Sequence, residues 1–339
     1  DKLDLVQAEA IADAIDATSV AAAKSAMRSL TGEFSQKINA LLEQLIQLRL
    51  YVEAAIDFPD EEGVDFLADE HIAKQLRQVC EQLNNVLATA KQGQLLRDGV
   101  SVVIAGRPNA GKSSLLNRLA GQERAIVTDI AGTTRDILQE TIVLNGLTLN
   151  LTDTAGLRQT DDIVEQAGIE RARQAITQAD LLLMVYDAHR EHEPLRLASE
   201  LFGSLPNANS ILMIANKIDL SDNHQNLPKQ FQSQEQIYHP VYVSCKYGTG
   251  LEELVSQICD KVGFHPPENS LIARTRHLDA LRRTQMALQA ADEQLHLFHA
   301  GELVAESLRQ AQISLNEITG EFTADDLLGK IFGSFCIGK

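Results

Sequence analysis

The sequence predicts an α/β domain inserted into an all-α domain, and three stretches of different texture carry that expectation. Residues 3–56 hold almost no Gly or Pro, and Leu42, Leu45, Ile46, Leu50 and Val52 recur mostly at steps that gather apolar side chains on one helix face. Between Val100 and Cys259, short aliphatic or β-branched runs alternate with glycine turns and helical stretches, the texture of a central sheet packed against helices. Past Pro266-Pro267 the helical pattern returns, through His277 to Gly301, Glu302 to Ile318 and Ala324 to Phe332. Early and late helices alike need partners for their apolar faces. Compact domains often have neighbouring ends, which permits insertion of one into another. The expected organisation is one helical domain over residues 1–98 and 265–339, the second part carrying a C-terminal tail, interrupted by a nucleotide-binding domain over 99–264. A plain string of three domains is the alternative.

Within the first helical part, Phe58-Pro59-Asp60-Glu61-Glu62-Gly63 breaks the pattern, and a further long helix is expected over residues 67–97 with Leu76, Val79, Cys80, Leu83 and Leu87 on one face. The length of 339 residues and the 44 % apolar content suffice for a substantial core. A formal net charge of −17 and a pI near 4.9 exclude an overall basic field that would hold a long duplex by its phosphates. Cys80, Cys245, Cys259 and Cys336 have neither CxxC spacing nor a small secreted frame, which points to a reducing, cytoplasmic setting without disulfides. The apolar runs around 100–105, 181–186 and 211–215 are too short to span a bilayer, so no membrane association is expected. Because the chain opens on Asp1 rather than Met, an upstream segment is expected.

Val102-Val103-Ile104-Ala105 reads as a strand, followed by Gly106-Arg107-Pro108-Asn109-Ala110-Gly111-Lys112-Ser113 and then a helical run from Ser114. This is GxxxxGKS in the strand-to-helix setting that gives the motif its meaning. The glycines let backbone N–H groups turn inward around phosphates, Lys112 neutralises the β and γ groups, and Ser113 ligates Mg²⁺. Residues Asn109 to Ser114 therefore form the phosphate cradle. Asp153-Thr154-Ala155-Gly156 follows the apolar segment 147–151, so Asp153 is placed to hold the Mg²⁺ hydration shell and the Gly156 amide to sense the γ-phosphate. In Gly132-Thr133-Thr134-Arg135-Asp136, Thr134 is chosen over Thr133 as the threonine that covers Mg²⁺. Such a loop is ordered by γ-phosphate and Mg²⁺ and released by hydrolysis.

At the other end, Ile211-Leu212-Met213-Ile214-Ala215 leads into Asn216-Lys217-Ile218-Asp219. An aspartate at the fourth position accepts from both guanine N1–H and the exocyclic amine, a donor pair that adenine lacks. Asn216 ties this loop to the phosphate loop, and the stem of Lys217 covers one face of the base. Ser244-Cys245-Lys246, after the strand-like Pro240 to Val243, resembles the loop that supports guanine O6 through a backbone N–H. Small size and burial explain Cys245 without a catalytic role. Together these elements specify a Ras-like P-loop GTPase domain binding GTP or GDP. Where many such domains carry a water-orienting glutamine after the DxxG glycine, this chain has Leu157. Asp161, Asp162, Glu165 and Glu170 are all available to replace it, and the residues alone do not choose between them.

The segments GRPNAGKSS, DIAGTTRD, DTAGLR and NKID, with the terminal Phe335-Cys336-Ile337-Gly338-Lys339, resemble the MnmE (TrmE) family of tRNA wobble-uridine modification GTPases. The opening Asp1 to Leu5, the stretch Tyr51 to Asp60 and Ile318 to Phe322 resemble it too, so the likeness extends along essentially all 339 residues. It implies a discontinuous helical domain holding a Ras-like G domain, and an N-terminal domain, preceding Asp1, that binds a tetrahydrofolate derivative and forms a homodimer. It places the water-orienting carboxylate at Glu165. It also places a K⁺ ligand at Asn109, with Thr128, Ile130 and Thr133 of the switch segment completing the shell when two G domains pair. A fixed cation there stabilises transition-state charge in place of an arginine finger; Arg107 and Arg135 are the rival sources. The resemblance further implies tRNA as substrate and an MnmG-like partner using FAD and NADH.

A ribosome-assembly GTPase, a Ras-like regulatory switch and a nucleotide-stabilised scaffold are the competing functions. Cys336 has prenylation spacing but ends on Lys339 without a preceding polybasic run. Read alone it is an incidental cysteine of a tail; the resemblance implies a catalytic or placing role in the modification reaction.

Overall fold

The computed structural model describes residues 3–57, 70–121, 139–153, 175–220, 227–233, 235–265, 270–298 and 300–320. The chain divides into two compact units, Asp1–Arg97 with Pro266–Lys339, and Asp98–His265. The expected breaker at 58–63, the helix at 324–332 and the C-terminal tail lie outside the described residues.

The amphipathic run at the start is divided into three helices. Asp4 caps α1 (Leu5–Ile15) in a reciprocal capping box with Gln7. Ser19 takes extended backbone and caps α2 (Val20–Leu30), its hydroxyl accepting from the Ala22 amide at 3.1 Å. Thr31 and Gly32, the latter at φ 90°, then turn the chain into α3 (Glu33–Asp57). The long helix α4 (Glu70–Asp98) ends where the sheet begins.

The second unit runs β1 (Val100–Ala105), α5 (Lys112–Ala120), β2 (Gln139–Leu144), β3 (Leu147–Asp153), β4 (Leu181–Asp187), α6 (Pro194–Phe202), β5 (Ile211–Asn216), a short hairpin β6 (Phe231–Ser233) and β7 (Gln236–Tyr238), β8 (Pro240–Tyr242) and α7 (Leu251–Lys261). The main sheet has the order β2-β3-β1-β4-β5-β8, with β2 antiparallel to β3 and every other pairing parallel. Asn145 (φ 51°) and Gly146 (φ 85°) make the tight turn that this antiparallel edge requires. Strands β4 and β5 are buried along almost their whole length, which explains their unbroken apolar runs: parallel strands covered on both faces lose the alternation that marks a half-exposed strand. Between β3 and β4, β1 stands where successive strands turn to opposite sides of the sheet, and ligands of open α/β sheets bind at the carboxyl ends of the strands at such a point. This is the Ras-like P-loop arrangement that the motifs predict.

After His265 the chain returns to the helical unit through an extended segment at 270–274, then α8 (Thr275–Glu293), a π-helical turn Gln294–Phe298 and α9 (Gly301–Thr319). One apolar core joins both sequence segments, with Phe34, Ile38, Leu45, Leu76 and Leu83 from the first and Leu281, Leu308 and Leu315 from the second. Each fully buried side chain of this size contributes roughly 1.5–3 kcal/mol. The returning segment is stitched down at its backbone. Ser25 Oγ donates to the Ser270 carbonyl at 2.8 Å and Ser29 Oγ to that of Ile272 at 3.4 Å. Gly93 of α4 makes the approach possible, since a Cβ there would lie 1.7 Å from the Leu271 carbonyl oxygen.

Charged groups complete the join. Arg97 and Arg274 both donate to Asp13 Oδ1 at 2.8 Å, and Arg276 grips both oxygens of Glu9 at 2.8 and 2.7 Å. Arg276 also donates to the Glu317 and Ile318 carbonyls, satisfying the end of α9. His277 is buried beside them; its Nδ1 accepts from the Arg274 amide at 3.1 Å, while Nε2 lies 3.1 Å from Glu9 Oε2 but poorly directed toward it. Burial, reinforced by the Arg276 charge against the pull of Glu9, drops its pKa to about 4. Among the described residues, no helix is long and apolar enough to cross a membrane.

Candidate nucleotide-binding site

The loop between β1 and α5 is shaped by two close approaches. A Cβ on Gly106 would lie 2.1 Å from the Val185 carbonyl oxygen, and one on Gly111, whose φ is 98°, would lie 2.2 Å from Asn216 Nδ2. The spacing of the two glycines therefore records where the loop touches β4 and where it touches the end of β5. Between them Arg107, Pro108 and Asn109 are exposed and Ala110 is buried, and Asn109 is held in the left-handed region at φ 62°. The chain enters α5 directly at Lys112, so the first amides of that helix point out of the loop without intrahelical partners, with the positive end of the helix dipole behind them. That combination suits an anion, and phosphate above all.

Lys112 Nζ donates to the Gly106 and Arg107 carbonyls at 2.9 and 3.2 Å, holding its ammonium across the mouth of the loop. Ser113 and Ser114 follow in the first turn with exposed side chains, so the hydroxyl of Ser113 is open to a Mg²⁺ ion beside a phosphate. Asn109 is exposed in the same loop, and its side-chain amide is of a type that ligates cations. Arg107 is drawn aside by Glu191 and Glu200, at 3.3 and 3.2 Å. The backbone of Asp153 ends β3 opposite Ile104, at the same carboxyl end of the strands as the loop; its side chain lies outside the described residues. So do Thr128, Ile130, Thr133, Thr134, Gly156, Glu165 and Cys336.

The opposite end of the site is braced by side chains. Asn216 is buried; its Nδ2 donates to the Ala110 carbonyl at 3.0 Å, and its Oδ1 accepts from the amides of Lys217 at 2.8 Å and Cys245 at 3.2 Å. One side chain thus links the phosphate loop, the NKID segment and the Ser244-Cys245-Lys246 loop. Lys217 has left-handed backbone at φ 66°, and its Nζ pairs with Asp187 Oδ2 at 2.8 Å. Burial opposes ionisation of Asp187, but the bonds from Lys217 and the His189 amide, with the charges of Lys217 and Arg190, outweigh it and hold the carboxyl below the usual carboxylate range. Ser244 Oγ donates to Asp219 Oδ1 at 2.6 Å, which fixes the rotamer of the carboxylate that the motif assigns to the base. Burial pushes the Cys245 thiol up despite the nearby Arg118 charge, so it stands as a neutral, compact filler.

Two participants were not singled out by sequence reasoning. Asp187, the last residue of β4, lies beside Asn216 in the sheet register, and a polar residue closing the apolar run 181–186 is the only signal that pointed to it. Arg118 of α5 donates from Nε to the Cys245 carbonyl at 2.8 Å and from Nη2 to the Lys246 carbonyl at 2.7 Å. A contact between a surface arginine and backbone carbonyls so far along the chain leaves no local pattern.

Residues 5–336 match the family described as the MnmE helical domain. The chain is 72 % identical to the tRNA modification GTPase MnmE of Psychrobacter arcticus, over all of this chain and 73 % of that protein. It is 62 % identical to the protein of the same name from Acinetobacter baylyi, over all of this chain and 72 % of the relative. A third relative of that name, from Hydrogenovibrio crunogenus, is 53 % identical over all of this chain and 74 % of its own length.

Proposed function

Because this chain belongs to the MnmE family, we propose that it is a GTP hydrolase of tRNA modification, acting with an MnmG-like FAD- and NADH-using partner to install an aminomethyl or carboxymethylaminomethyl group at C5 of wobble uridine. The observation that supports the guanine assignment best is the link through Asn216, which ties the phosphate loop to the NKID and Ser244 loops and sets the spacing that a single nucleotide must span. Phosphates lie along the amides of Ala110 to Ser114, where Lys112 exchanges two neutral carbonyls for β- and γ-phosphate oxygens, a stronger, charge-assisted pairing. Asp219, held by Ser244, accepts from guanine N1–H and the exocyclic amine, and the stem of Lys217 lies on the base.

Ser113 and Thr134 hold Mg²⁺, with Asp153 on its hydration shell; Asn109, Thr128, Ile130 and Thr133 hold K⁺. When bound, these cations supply positive charge beside the β- and γ-phosphates. Gly156 senses the γ-phosphate, Glu165 orients the attacking water in place of the glutamine that Leu157 lacks, and Cys336 serves the modification chemistry. G domains of two copies pair over their nucleotides.

Phosphate release measured in KCl and in NaCl at equal ionic strength tests the hydrolytic part, and wobble-uridine product formed with the redox partner, folate and unmodified tRNA tests the coupling. Equal rates in both salts at every protein concentration would reject K⁺-dependent pairing, and retained product with an inactive site would reject the coupling.

A further inference from the structure

We propose that Arg118 is a positioning residue for guanine recognition, turning the Lys246 N–H toward O6 of the base. The inference rests on the guanine-nucleotide reading of the site. Arg118 sits in the helix that opens with the phosphate-binding Lys112, and its guanidinium clasps the Cys245 and Lys246 carbonyls at 2.8 and 2.7 Å. The described residues contain no cis peptide, so the N–H of each peptide group points opposite to its C=O. Holding the Cys245 carbonyl toward α5 therefore aims the Lys246 N–H away from α5. The neighbouring amides are already engaged, Cys245 N–H by Asn216 Oδ1 and Tyr247 N–H by Ser244 Oγ at 3.4 Å. The Lys246 amide is left as the donor of this loop for an acceptor outside it.

Charge adds to orientation. A carbonyl that accepts from a guanidinium polarises its peptide group, which makes the N–H on the other side a stronger donor. Arg118 thereby couples the helix behind the phosphates to the loop over the base edge, and fixes the spacing between the two ends of the nucleotide from a position that touches neither.

Displacement of a fluorescent GDP analogue from the full chain by GDP, IDP and 6-thio-GDP tests this in the unmodified protein, Arg118→Ala and Arg118→Lys. IDP keeps O6 but lacks the exocyclic amine that Asp219 reads; 6-thio-GDP keeps the amine but offers sulfur, a poor acceptor, in place of O6. In Arg118→Ala, GDP and IDP affinities are expected to fall together by about threefold to tenfold, the range of one hydrogen bond. The affinity for 6-thio-GDP should barely move, so that discrimination between GDP and its thio analogue shrinks. Arg118→Lys, able to reach one carbonyl, should fall between, and it carries the test if the alanine variant does not fold. Equal losses for all three nucleotides, or no loss for any, would overturn the proposal. An unmodified protein without guanine preference would instead fail before any variant is made, and would take the reading of the site with it.

Discussion

In the helical unit, Glu9 and Asp13 meet Arg97, Arg274 and Arg276 so that the charges answer one another and the end of α9 besides. In the nucleotide unit the polar groups are braced just as closely, yet they stop short of closing on themselves. Asn216 and Ser244 hold neighbours in place, while the amides opening α5 are left without intrahelical partners. Polar networks of the first kind fix which helices belong together; those of the second kind fix where a ligand's atoms must go. Substitutions in the two units should therefore separate stability from binding.

The largest expected effect is on turnover. Lys112→Ala should reduce GTP hydrolysis roughly a hundredfold or more, the scale seen when one preorganised donor is removed from a developing charge, with an unchanged melting temperature. A parallel loss of stability, read by circular dichroism, would break the contrast. Next, Asp219→Asn presents a donor where guanine also donates, so GDP affinity should fall by about a hundredfold, the scale of a lost charge-assisted bond with a donor left unpaired. Xanthine nucleotides should gain, and isothermal titration with both bases reads the exchange.

For the helical unit the signs reverse. Gly93→Ala sets a methyl against the Leu271 carbonyl and should cost about 3 kcal/mol of stability, measured as a urea midpoint, while GDP affinity stays constant. The smallest effect belongs to His277. Its pKa in the fold is about 4 against an ordinary 6.5, so the unfolded chain takes up a proton that the fold refuses as the pH drops through this window. Its contribution to stability is constant above 6.5, declines as the pH falls from 6.5 to 4, and levels off below; near pH 5 the loss is about 2 kcal/mol. His277→Gln should remove that component of the pH dependence, leaving the part that comes from Glu9 and its neighbours.

The same contrast governs what could be read from the sequence. GxxxxGKS and NKID were legible because each packs its chemistry into consecutive residues, and Gly111 and Asn216 prove to be in mutual contact. The texture of the α/β unit was legible because the buried strands β4 and β5 are apolar throughout. The division of residues 3–56 into three helices was not, because Ser19 and Thr31 end no apolar pattern; they interrupt it by capping and turning. The brief hairpin β6–β7 had no periodic signal in three residues per strand. Arg118 and Asp187 escaped for a different reason. Their partners are a carbonyl pair far along the chain and a lysine on the adjoining strand end, and one-dimensional spacing carries no trace of either.

The seam at Gly93 has a consequence for the order of synthesis. Leu271 and the helices that follow leave the ribosome only after the whole of Asp98–His265, so α3 and α4 emerge with apolar faces whose partners are roughly 170 residues away. At elongation rates of about 5–20 residues per second that is a delay of roughly ten to thirty seconds. In that interval the inserted unit, whose strands and loops are contiguous in sequence, is free to fold first. The methyl-free surface of Gly93 then leaves room for the returning segment that carries Leu271.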